Sequence, residues 1–93
     1  MRYSYNGSII GMDVHHGSPG YLEYGEIESV EKTKTGFELI LKDGDFYPMT
    51  KKEFKKFKET GIYDGKINGG YVTILINDPD IFPESYDRIY DRN

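Results

Sequence analysis

The chain has two histidines, His15 and His16, and they are neighbours within DVHHGSPGYLEY, residues 13–24. Imidazoles titrate near neutral pH, so a pair of them could serve as acid and base on a phosphodiester. With Asp13 or Glu23 folded against them they could also hold a divalent cation. Adjacent residues usually point apart, however, and the HxH, HExxH and HxxxH spacings that bring two imidazoles to one metal are absent. Contact without turnover is the simpler chemistry. His15, His16, Gly17, Ser18, Tyr21 and Tyr24 are expected to bind a ligand from a glycine-rich loop, with the Gly17 and Gly20 backbone N–H groups close to an anion. A plain surface loop is the competing reading.

A second group lies at residues 51–60, where five of the twelve basic residues (Lys51, Lys52, Lys55, Lys56, Lys58) stand with Glu53 and Glu59. That stretch carries +3, whereas the remaining seven basic and fourteen acidic residues carry −7. Lys52, Lys55 and Lys56 are the expected contacts to phosphate or to an acidic partner. Lysines are also ordinary on the wet side of an amphipathic helix. Nine tyrosines form a third group, with Tyr3 and Tyr5 on one face of a strand. Tyrosine suits interfaces and base stacking, and it is equally a common strand former. Glu23, Glu26, Glu28 and Glu31 also cluster, but Lys32 and Lys34 follow them closely, so solvated surface charge is the expectation.

These residues need a scaffold, and the turn chemistry outlines one. Asn6-Gly7 reads as a hairpin turn, residues 15–20 as a break with Pro19-Gly20 turning, and Tyr21 to about Lys32 as a strand bending near Gly25. A turn near Lys34-Thr35-Gly36 leads into the strand Phe37–Leu41, which Asp43-Gly44 joins to Asp45–Tyr47 by a two-residue hairpin. Thr50 and Glu53 make a capping box, Phe54 and Phe57 an apolar stripe, and Gly61 a C-terminal cap. Asp64-Gly65 and Asn68-Gly69-Gly70 read as turns before the strong strand at 71–77. There Val72, Ile74 and Ile76 should face the core, and Tyr71, Thr73 and Leu75 a half-exposed side. Residues 78–93 form a short helix or a tail, with Pro83 suited to a first turn.

The expected fold is α+β and β-rich: a curled antiparallel sheet or partly open SH3-like or OB-like barrel of six or seven strands, with one amphipathic helix before the last strand. Ninety-three residues make a single domain, 1–93. A hydrophobic content of 37% implies a thin core, for which homo-oligomer formation compensates. The absence of cysteine excludes disulfides and thiolate chemistry. MRYSYNGS lacks the apolar core of a signal peptide and no apolar run is long enough to span a membrane, so the expected location is cytoplasmic. A net charge of −4 makes nucleic acid a less favoured partner.

No catalytic residue, metal or cofactor is assigned. Abundant Ile, Lys, Tyr and Asn with no Ala point to AT-rich coding. The expected function is non-enzymatic: a phage or mobile-element accessory protein of counter-defence type. It would sequester a small phosphorylated or nucleotide-type signal, or inhibit a host protein. The alternatives are a nucleic-acid-binding or transcription-modulating domain using the lysine helix, and a His-dependent phosphodiesterase.

Overall fold

The computed structural model describes residues 9–90, and Tyr3, Tyr5 and the Asn6-Gly7 turn lie outside the described residues. The chain order is β1 (Asp13–Ser18), β2 (Tyr21–Lys32), β3 (Gly36–Leu41), β4 (Phe46–Thr50), α1 (Lys51–Thr60), β5 (Ile62–Ile67), β6 (Gly70–Ile76) and α2 (Pro83–Tyr90). All pairings are antiparallel, and the strands run β4-β3-β2-β1-β6-β5 across a nearly closed barrel. One core cluster draws on every strand and on α1, through residues such as Val14, Ile27, Leu39, Met49, Phe57 and Ile74.

The expected helix forms where its local signals place it. The Thr50 hydroxyl accepts the Glu53 N–H at 3.1 Å, and the Glu53 carboxylate accepts the Thr50 N–H at 2.9 Å. These bonds satisfy donors that a helix start leaves open. At the other end Gly61, at φ 77, gives its N–H to the Phe57 carbonyl at 2.7 Å. Ten residues are too few to stay helical alone, and α1 is held by burying Phe54 and Phe57. The helix packs against β3, β4 and β5, bridging the gap between the two edge strands. Pro48 lies on edge strand β4, where a missing donor is tolerated. Phe57→Ala should cost about 3–5 kcal/mol, read from denaturant unfolding.

Several boundaries differ from the sequence expectation, each for a tertiary reason. Residues 15–18 continue a strand instead of breaking into a loop, because β1 pairs on both sides, with β2 and with β6. Only Pro19-Gly20 turns. The Asp64-Gly65 turn signal is likewise overridden, since β5 pairs with β6 from Ile62 to Ile67. The turn falls at Asn68 (φ 53) and Gly69 (φ 84), whose positive φ values suit a hairpin of this hand. The β3–β4 connection is wider than two residues. Leu41 bonds to the Asp45 carbonyl, and the Asp43 carboxylate accepts the Asp45 N–H at 2.9 Å, which keeps Asp45 in the turn.

The tail forms α2, which packs on β6, and this explains why Thr73 to Ile76 are all buried where alternation was expected. Ser85 donates to the Gly61 carbonyl at 3.0 Å. A Cβ at Gly61 would come within 2.7 Å of the Phe82 ring, so the helix cap and the docking of the tail meet at one residue.

Candidate functional site

Strand alternation separates the two histidines. Val14 and His16 are buried, while Asp13, His15 and Gly17 are only partly covered and face the other way. The histidines therefore occupy opposite faces of β1 and cannot act as one acid–base pair. They also stand on a paired strand, where a loop was expected.

On the outer face His15 is paired across the sheet with Tyr24, their rings 6.0 Å apart and nearly perpendicular. Tyr90, from α2, meets His15 at 6.2 Å and stacks loosely on Tyr86 at 4.7 Å. Of these rings, His15 and Tyr90 line a groove of ≈ 370 Å³ together with Gly20, Leu22, Arg88 and Ile89. Arg88 is set by a two-point bond to Asp64, at 2.7 and 3.3 Å, and the Thr73 hydroxyl donates to the same carboxylate at 2.8 Å. The Arg88 hydrogen bonds hold the Asp64 carboxyl below its ordinary range, and Asp64 in turn raises the Arg88 guanidinium. Burial, and then the neighbouring His16, lowers the His15 imidazole. The Tyr24 hydroxyl is pushed up, first by its hydrogen bond to Asp13.

On the inner face His16 is 2% exposed. Its Nδ1 lies 2.6 Å from the Tyr47 hydroxyl, and among the described residues its Nε2 has no hydrogen-bond partner. The Asp43 carboxylate is 3.6 Å from Nε2 and that of Asp45 3.9 Å from Nδ1. Burial, followed by Asp45, Asp43 and Glu23, pushes the Tyr47 hydroxyl up to about 12. It therefore keeps its proton at neutral pH. Gly25 makes the room: a Cβ there would fall 2.9 Å from Nε2. His16, Asp43 and Asp45 each offer a ligand atom within 4.8 Å of the others, a group among the described residues that could hold a metal.

The nine expected ligand contacts are thus distributed over three places. His15 and Tyr24 come together beside the groove. Gly17 shares the His15 face, whereas Ser18 and Tyr21 pair with each other at the hairpin end, in the register of His16. Lys52, Lys55 and Lys56 remain on α1. Lys55 faces Glu59 at 3.9 Å, and Lys56 lines a separate recess of ≈ 180 Å³ with Glu53, Ile62, Tyr63 and Asp64. Arg88, Ile89 and Tyr90 escaped the sequence reading because the tail gave no sign of which strand it would cover. Asp43, Asp45 and Tyr47 escaped because they read locally as turn and strand formers. No helix among the described residues is long and apolar enough to cross a membrane. Compared with protein-family models, curated proteins and solved structures, the chain matches none.

Proposed function

We propose that this chain binds, without turning over, a small anionic ligand that carries a flat ring, of nucleotide type, in the groove between the β1–β2 hairpin and α2. The observation that carries this reading is the pair of rings, His15 and Tyr90, lining a groove that also holds Arg88. Aromatic side chains stack on any base, and a guanidinium favours phosphate. Two of the Arg88 N–H groups go to Asp64, which leaves the others for an incoming anion. The groove volume is at the small end of the range for ligand sites, in keeping with one nucleotide-sized molecule.

Sequestration needs affinity and no chemistry. It suits a 93-residue chain with AT-rich residue usage acting as a phage or mobile-element counter-defence factor in the host cytosol. The test is a thermal-shift screen of nucleotides and nucleotide-derived signals. A ligand at 100 times its Kd adds about 2.7 kcal/mol of stability. The same compound should be recovered intact after heat denaturation, and Tyr90→Ala and Arg88→Gln should weaken it. Recovery of a cleaved product would overturn the non-enzymatic reading. Absence of any shift would move the function to a protein partner.

A further inference from the structure

We propose that His16, Asp43 and Asp45 form a binding site for a first-row divalent cation such as Zn²⁺ or Mn²⁺, on the opposite face of β1 from the groove. Two observations carry this, and neither depends on the groove. The first is the donor set: one imidazole and two carboxylates whose ligand atoms lie within 4.8 Å of one another. The second is the buried His16 Nε2, without a hydrogen-bond partner among the described residues and 3.6 Å from the Asp43 carboxylate. A ring nitrogen removed from water and left without a hydrogen bond is unfavourable in a core, and a cation is the partner that would satisfy it.

The geometry suits an ion. Two ligands about 2.1 Å from one tetrahedral cation stand about 3.4 Å apart, and Nε2 and the Asp43 Oδ2 are 3.6 Å apart. The other Asp43 oxygen is held by the Asp45 N–H, so Oδ2 is the one left to face the imidazole. The Asp45 Oδ2 stands 3.9 Å from Nδ1, on the Tyr47 side of the ring, and its exposed side chain would swing toward Nε2 to complete the set. The Tyr47 hydroxyl at Nδ1 is the outer support that metal-bound imidazoles usually have: in the tautomer whose Nδ1–H donates to it, the Nε2 lone pair is free. Gly25 keeps the space beside Nε2 clear of side chain. The donor set excludes a preference for Ca²⁺ or Mg²⁺, which favour oxygen throughout, and matches cations that accept imidazole. Both carboxylates border solvent, with side chains 43% and 57% exposed, so the ion would enter from water and keep positions open to it.

The test is titration of the full chain, first stripped with a chelator, with Zn²⁺ and in parallel with Mn²⁺. Calorimetry should give one ion per chain, and Zn²⁺ should shift the imidazole NMR signals of His16 while leaving those of His15. Asp43→Asn/Asp45→Asn changes only exposed side chains and should fold normally, yet lose saturable uptake. Tyr47→Phe should weaken uptake by about 10–100-fold as a positioning residue. The proposal is overturned if neither ion gives saturable uptake, if uptake survives in Asp43→Asn/Asp45→Asn, or if the ion moves His15 signals instead.

Discussion

His15 and His16 are the same side chain one position apart, and the sheet gives them opposite circumstances. His15 meets Tyr24 and Tyr90 at the rim of an open groove. His16 is enclosed, one nitrogen on Tyr47 and the other without a hydrogen-bond partner among the described residues. The difference comes from pleat alone, since successive residues of a strand face opposite sides. A pair of chemically capable residues in sequence is therefore two half-sites in space, each completed by different elements: α2 on the outer side, the β3–β4 turn on the inner side.

The inner half-site is part of the packed interior, and changes there should be felt most. Gly25→Ala would drive a Cβ to 2.9 Å from the imidazole and should destabilise the fold by about 1–3 kcal/mol, measured by chemical denaturation. A neutral result would mean that His16 moves freely, and the two faces would then differ less than described. Tyr47→Phe leaves the buried Nδ1 without its hydrogen bond and should cost about 1–3 kcal/mol.

The outer half-site is anchored by an exposed ion pair, so its contribution to stability is smaller. Arg88 holds the Asp64 pKa below its ordinary value of 3.8. A depressed carboxylate stabilises the fold above its unfolded pKa and loses that contribution as pH falls through the folded value. The loss belongs below about pH 4, and at these exposures it should stay under about 1 kcal/mol and shrink with salt. Asp64→Asn should flatten that acid limb of the stability curve. Tyr24→Phe, on a side chain 62% exposed, should change stability least, with no resolvable change in chemical denaturation.

The features legible in the sequence were those encoded within a few residues. The Thr50/Glu53 box, the Phe54/Phe57 stripe and the Gly61 cap each depend on contacts inside one or two turns. What escaped was set by pairing at a distance. The strand identity of residues 15–18 and 62–67 comes from neighbours on β2 and β6: pairing on both sides of β1 overrides the Gly17 turn signal, and pairing with β6 alone overrides Asp64-Gly65. The His16–Tyr47 bond joins residues 31 apart and requires β1, β2, β3 and β4 to be in register, with an irregularity between Ile27 and Ser29. No local pattern carries that information.

The strand order has a consequence in time. Strands β1 to β4 form a meander that can pair as it is made, but the other side of β1 belongs to β6, near the far end of the chain. A nascent chain therefore leaves the Val14–Gly17 flank as an open edge until Gly70–Ile76 has emerged from the ribosome. Closing the barrel therefore needs the β5–β6 hairpin, which joins at β1 in the middle of the sheet. Contacts of such long sequence separation are the slow ones in folding, and an unpaired edge is where a growing chain is open to wrong partners.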